Sequence, residues 1–235
     1  MKMEPRFKWQ FTLLGVLLIV LLAISSCVKI PTEAPPLPKF KAKLRVIHAA
    51  TDVGEVTVKL DGQNLATLNM EGASPYVDLD AGKHAFQVGS EDVDSLFVDT
   101  DFVGTFYIVA KAGGNTKRLI KKRERWLFNP PAPKDTAAVV FAQMSPDGAY
   151  DILWAGSYSG SDTSYTANGK LASGLGFTEF AGGFFPVPGW SYTFYVTDGT
   201  DTLMTVNPTI ASGKSVTEVL LNNKASLKVK EFANE

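Results

Sequence analysis

The sequence predicts an all-β protein: two tandem β-sandwiches behind an N-terminal secretory leader. Three observations predict it. One segment recurs, because "RVIHAATDVGEVTVKLDG" (45–62) lies over "VVFAQMSPDGAYDILWAG" (139–156) without a gap at a shift of 94. Apolar and polar residues alternate with period two in short runs bounded by turn residues, as half-buried strands do. No stretch after residue 27 carries a helical period. The composition agrees: 45% hydrophobic and 20% charged residues suit a packed core rather than disorder. The net charge is −1, and the basic first 26 residues leave the remainder near −3. That balance argues against nucleic acid as a partner, since phosphate binding needs a basic surface.

The front end comes first. Lys2, Arg6 and Lys8 precede the apolar run "LLGVLLIVLLAI" (13–24), and Ser25, Ser26 and Cys27 follow. This is the three-part layout of a secretory signal, and the run is shorter than the ~20 residues a spanning helix wants. "ISSC" (24–27) resembles the bacterial lipobox, whose cysteine is lipidated and becomes the mature N-terminus. The resemblance implies a signal peptide over 1–26 and acyl chains on Cys27, hence a stable membrane anchor. The alternative is an uncleaved anchor with an incidental cysteine. Cys27 is the only cysteine, so it has no disulfide partner. Val28 after the cysteine resembles the pattern of outer-membrane sorting. The expected location is the bacterial cell envelope, at the periplasmic or surface face of the outer membrane. The segment 27–42, with "PTEAPPLPKF", cannot form a helix and reads as a stiff tether.

The first repeat is expected over 43–128. "EVTVKL" alternates, and Asp61-Gly62 turns it into "QNLATLNM" as a hairpin. "SPYVDLDAG" and "KHAFQVG" read as a second hairpin, and "GTFYIVAK" as a continuous apolar strand. "NPPAPK" (129–134) is a proline-rich linker. The second repeat follows over 135–235. Its "SYTFYVTDGTDTLMTV" is strand, turn, strand, and Gly189 lies over Gly82 at a shift of 107, so 13 residues are inserted after Gly156. Both repeats are of normal domain size.

The opening "RVIHAATDVGEVTVKLDG" and the later "SPYVDLDAGKHAFQV" resemble a bacterial family of unknown function found in secreted proteins and lipoproteins. The resemblance covers 44–110 well. It is weaker over 138–220, where Ala142 replaces His48 and the insertion intervenes. The first copy has Asp52-Val53 where the family often has proline; the second keeps Pro146. The resemblance implies immunoglobulin-like sandwiches and an envelope location, and brings no activity with it.

A search for chemistry finds little. His48 and His84 sit in no metal-type spacing and read as half-buried strand histidines. There is no G-x-S-x-G, P-loop or H-E-x-x-H motif. Gly174 and Gly176 lack a third glycine, since Glu179 stands in its place. No catalytic residue, cofactor or metal is expected. The acidic stretch 91–101 lacks the glycine of a helix-loop-helix calcium loop and reads as a charged hairpin, with calcium the alternative. "KRLIKKRER" (117–125) could meet anionic lipid or glycan, and reads more simply as an edge strand blunted by lysine.

The insertion is the best functional candidate. Residues 156–185 are rich in Gly, Ser, Thr, Tyr and Phe, and read as a loop on a rigid sandwich. Tyr158 and Tyr165, flanked by Trp154 and Trp190, form the expected ligand-binding set, suited to a sugar ring or peptide. Phe177, Phe180, Phe184 and Phe185 are expected to pack inward. The sequence therefore points to a non-enzymatic binding or structural module, with a surface glycan or another envelope protein as partner. The alternatives are an envelope hydrolase using Asp94 and Asp101, and an architectural spacer.

Overall fold

The computed structural model describes residues 40–51, 53–110, 117–123, 134–160 and 163–234. The expected leader, Cys27 and nearly all of the tether and of the 129–134 linker lie outside the described residues. Residues 40–235 form one compact unit. Its strands run in chain order β1 (Lys41–His48), β2 (Val56–Leu60), β3 (Gln63–Leu68), β4 (Val77–Asp80), β5 (Gly82–Val88), β6 (Glu91–Val98), β7 (Val103–Ala110) and β8 (Lys117–Arg123). The second series is β9 (Thr136–Gln143), β10 (Tyr150–Ser159), β11 (Ser164–Leu175), β12 (Phe180–Pro186), β13 (Trp190–Thr197), β14 (Thr202–Val206), β15 (Ser215–Leu221) and β16 (Lys228–Ala233).

The strands build four sheets, in the orders β4-β1-β7-β8, β3-β2-β5-β6, β12-β9-β15-β16 and β11-β10-β13-β14. Adding eight to each strand number converts the first pair of sheets into the second. The duplication read from the sequence is thus complete in topology. It extends to chain direction, because β1 runs parallel to β7 and β9 parallel to β15. All-β architecture with paired sheets is what the alternating runs require: each sheet has an apolar face that only another sheet can cover.

Two cores fill the sandwiches. Leu44, Val46, Val58, Phe86, Val88, Phe106 and Ile108 pack in the first. Val139, Phe141, Ile152, Phe185, Phe194, Val196 and Leu220 pack in the second. A third apolar layer lies between the sandwiches: Ile47, Ala49, Tyr107 and Val109 against Ala142, Met144, Val219 and Leu221, with Phe177, Phe180 and Phe232 at its margin. Tyr107 and Phe180 meet across it, ring centroids 5.5 Å apart. β1, β7, β9 and β15 are therefore buried on both faces, which explains their near-continuous apolar sequences. Each fully buried large side chain contributes on the order of 1.5–3 kcal/mol.

Arg45, 5% exposed, pins this layer. Its Nη1 donates to the Ala233 carbonyl at 2.6 Å and its Nη2 to Asn234 Oδ1 at 2.8 Å, while Nε reaches Thr105 Oγ1 at 3.2 Å. Its guanidinium lies 4.8 Å from the Tyr76 ring and 5.8 Å from the Phe232 ring. Lys228 Nζ bridges to Glu71 at 3.2 Å nearby.

Three expectations need correction. The gapless alignment of the repeats slips by one residue in the first strand. Val46 and Phe141 both enter the sandwich cores, so the equivalent of His48 is Gln143 rather than Ala142. Function agrees with position. His48 Nδ1 accepts from Ala50 N and its Nε2 bonds Gly54 O at 2.9 Å; Gln143 Oε1 accepts from Ser145 N and its Nε2 donates to Gly148 O at 2.7 Å. Both side chains are fully buried, not half-buried, and close the same loop. Second, "SPYVDLDAG" and "KHAFQVG" are not a hairpin. β4 pairs β1 in one sheet and β5 pairs β2 and β6 in the other, the chain crossing at Gly82. Third, residues 156–185 are mostly strand, not loop.

Candidate functional site

The inserted residues lengthen one hairpin. In the first repeat β2 and β3 have 5 and 6 residues and end at the Asp61-Gly62 turn, whose φ values of 50° and 82° suit that pair. The corresponding β10 and β11 have 10 and 12 residues. The outer half of this hairpin is an arm whose cross-strand rows are set by register. Tyr158 lies opposite both Tyr165 and Trp190; Gly156 lies opposite Ala167 and Tyr192; Trp154 lies opposite Gly169 and Phe194. Side chains on alternate residues share a face, so these three rows form one apolar surface. The other face carries Thr166, Ser157 and Ser191, with the two serine hydroxyls 2.8 Å apart.

Small residues seat the rings. A Cβ added at Gly156 would come 2.7 Å from Tyr192 Cε1 and 3.2 Å from Trp190 Cε3. One at Gly169 would come 2.8 Å from Trp154 Nε1, and one at Gly189, where φ is +75°, would come 2.5 Å from Tyr158 Cε2. Each aromatic thus covers glycine backbone, an arrangement that fixes ring orientation and protects strand glycines.

The result is a continuous series of rings. Tyr165 lies 6.0 Å from Tyr158, Tyr158 5.7 Å from Trp190, and Trp190 stacks on Tyr192 at 5.7 Å and 10°. Tyr192 then meets Phe185 at 5.1 Å and Trp154 at 6.0 Å, and Phe185 reaches Phe194 in the core at 5.1 Å. Exposure grades along it: Tyr165 is 60% exposed, Tyr158 and Trp190 half-buried, Tyr192 and Phe185 buried. Burial pushes the Tyr192 hydroxyl up to about 12. The rows contain no charged side chain. At the base, on the opposite face, Asp151 accepts from Lys170 Nζ at 2.7 Å and Gly174 N at 2.8 Å, which holds its carboxyl below the usual range and ties the bulge there.

Of the four residues expected from the sequence, Tyr158, Tyr165 and Trp190 come together at the tip. Trp154 lies deeper and joins through Tyr192. Sequence reasoning placed Phe185 inward without joining it to the site and missed Tyr192; Gly156, two residues from Trp154 and Tyr158, and Gly183, two residues from Phe185, were the available signal, and Tyr192 had none. Phe177 and Phe180 pack in the inter-sandwich layer and Phe185 in the core, but Phe184 is 47% exposed, against expectation.

Other candidates are structural. His84 has the partner that the sequence did not reveal: its Nδ1 lies 2.7 Å from Asp61 Oδ2 and its Nε2 2.7 Å from the Asp80 carbonyl. Burial lowers its pKa, but the bonds to Asp61 and Asp80 outweigh that and hold it above the ordinary value. Asp61 also accepts from Ala85 N at 2.9 Å, so the pair staples a turn to β5. Asp101 occupies a left-handed turn position between β6 and β7, and the side chain of Asp94 lies outside the described residues. The stretches 91–101 and 117–125 fall largely in β6 and β8, and β8 is a sheet edge as expected. Among the described residues no group of three His, Cys, Asp or Glu side chains could hold a metal, and no helix is long and apolar enough to cross a membrane.

These features define a class: a double β-sandwich with one aromatic arm. Residues 42–152, which span the first sandwich and reach into β10, match the model of the family described as a domain of unknown function (DUF4397). No curated protein matches. Among solved structures, the chain is similar to the N-terminal domain of AlgF from P. aeruginosa, at 23% identity over 36% of this chain and 96% of that one, with a TM-score of 0.27. It is also similar to the tip fimbrial protein Mfa3 from Porphyromonas gingivalis, at 10% identity over 83% of this chain and 99% of that one, with a TM-score of 0.34. At such scores the likenesses carry no functional argument.

Proposed function

We propose that this chain is a non-enzymatic binding module of the bacterial cell envelope, held by acyl chains on Cys27 and a proline-rich tether. Sandwich repeats over 43–128 and 135–235 carry the arm on the second copy. The observation that carries this reading is the graded aromatic series, exposed at Tyr165 and rooted in the core at Phe185 and Phe194. Apolar rings left exposed on a rigid, uncharged platform are a recognition feature rather than a stabilising one. Rigidity lowers the entropy lost on binding. The ligand is another envelope or surface molecule.

The test has two arms. Mass spectrometry of the membrane fraction should find acylated Cys27 as the mature N-terminus; an intact leader with a free thiol defeats the anchor. Ligand panels of glycans and peptides should contain members that the full chain retains and that a Tyr158→Ala, Tyr165→Ala double variant loses. Equal retention by both proteins defeats the site. The fused third apolar layer favours a second reading, a rigid spacer, in which the double variant changes nothing and removal of the second sandwich changes the assembly.

A further inference from the structure

Among the described residues the four sheets have eight edge strands, and several of them carry features that discourage pairing. β4 is four residues long and carries Asp78 and Asp80; β8 and β16 are charged along their length, and β6 carries Glu91, Asp92 and Asp94 in its first half. β12 contains Gly182-Gly183 and ends in Pro186. β3 and β14 are short, and register shifts interrupt the ladders that hold them. Such devices keep stray strands from pairing. β11 is uncharged over its outer half and lies there beside the exposed ring of Tyr165. Ser164, Tyr165, Thr166, Ala167, Asn168 and Gly169 pair in unbroken register with Ser159 back to Trp154, and include neither charge nor proline. The shifts in this ladder begin only at the base, between Leu153, Ile152 and Tyr150.

We propose that this edge receives an extended polypeptide strand from another protein, which adds to the sheet beside β11. The proposal rests on the reading of the arm as the binding surface and names its ligand class. A row of unpaired backbone donors and acceptors is complementary to one thing above all, another backbone in strand conformation. The flanking chemistry fits the same occupant. A strand added about 4.8 Å from β11 places every second side chain beside Tyr165 and Ala167 on the apolar face, and the others beside Thr166 and Asn168. The partner segment therefore alternates aromatic or branched apolar residues with small polar ones, and is uncharged on its apolar face.

The probe is a set of synthetic peptides of about eight residues alternating Phe, Trp or Val with Ser or Thr, the strand-addition pattern. Each is also made with one or the other alternate set of backbone amides N-methylated. Binding to the full chain in detergent is read by anisotropy. The expected result is that methylating one set weakens binding by about tenfold or more and methylating the other does little, since only alternate amides face the edge. A Thr166→Lys, Asn168→Lys variant, with its changes on the opposite face from Tyr165, should lose binding to a similar degree at an unchanged melting temperature. Equal binding by both methylated sets, or full binding by the double-lysine variant, overturns strand addition. If no peptide binds while a glycan does so through Tyr165, strand addition falls and the aromatic surface stands. If nothing binds, both readings fall.

Discussion

Replacing Arg45 by Met tests whether the two sandwiches are one mechanical body. The change keeps much of the apolar stem and removes the guanidinium. That group donates to Ala233 O, Asn234 Oδ1 and Thr105 Oγ1 and lies between the Tyr76 and Phe232 rings. Asn234 retains Thr217 and Ser215, so the orphaned acceptors are chiefly Ala233 O and part of Thr105. Each hydrogen bond to a charged donor is worth roughly 1.5–3 kcal/mol, and the bonds share one donor, so the loss is about 3–5 kcal/mol rather than their sum. A domain of this kind has a total stability of about 5–15 kcal/mol, so the loss is large. The assay is urea unfolding followed by far-ultraviolet circular dichroism, which reports all strands, and by tryptophan fluorescence, to which Trp154 and Trp190 of the second sandwich contribute. Both transitions should move together to lower urea. A fluorescence transition that stays at the wild-type midpoint while the circular dichroism splits in two would refute the single body.

Three further outcomes follow from the same structure. Glu218 is 2% exposed, and burial, then Glu231 opposite it, push its carboxyl up to about 8 from an ordinary 4.5. The folded state thus holds a proton that the unfolded chain has released. The associated stability is complete below about pH 4.5 and is lost as pH rises to about 8, a fall of a few kcal/mol; Glu218→Gln should flatten that dependence in urea midpoints measured from pH 5 to 9. Gly156→Ala places a methyl 2.7 Å from the Tyr192 ring and should cost about 1–3 kcal/mol while shifting tryptophan emission, whereas Gly54→Ala, with open space around it, should do neither. His48→Gln should be tolerated within about 1 kcal/mol, because Gln143 performs the same task in the second copy, whereas His48→Ala strands Gly54 O and Ala50 N at about 2–3 kcal/mol by thermal melt.

How far the sequence carried depended on how many faces of a strand were buried. β2 shows one face to solvent, so its alternation and its Asp61-Gly62 turn were readable. β1 and β9 are buried on both faces, so "RVIHAA" and "VVFAQM" lack the polar marks that fix parity, and a one-residue slip went unseen. The separation of β4 from β5 was equally hidden, because local pattern does not say which sheet a strand joins. At the site, aromatic composition pointed to Tyr158, Tyr165 and Trp190. Their shared face comes from the β10–β11 and β10–β13 registers, which no local signal encodes.

The account turns on the tip of the arm meeting a partner. A photo-crosslinking residue placed at position 165 in the native envelope tests this most directly, with position 97 as control, since Phe97 is 63% exposed on the first sandwich against 60% for Tyr165. The account predicts a discrete crosslinked species from position 165 and none from 97. Equal crosslinking at both, or none at 165, would contradict it.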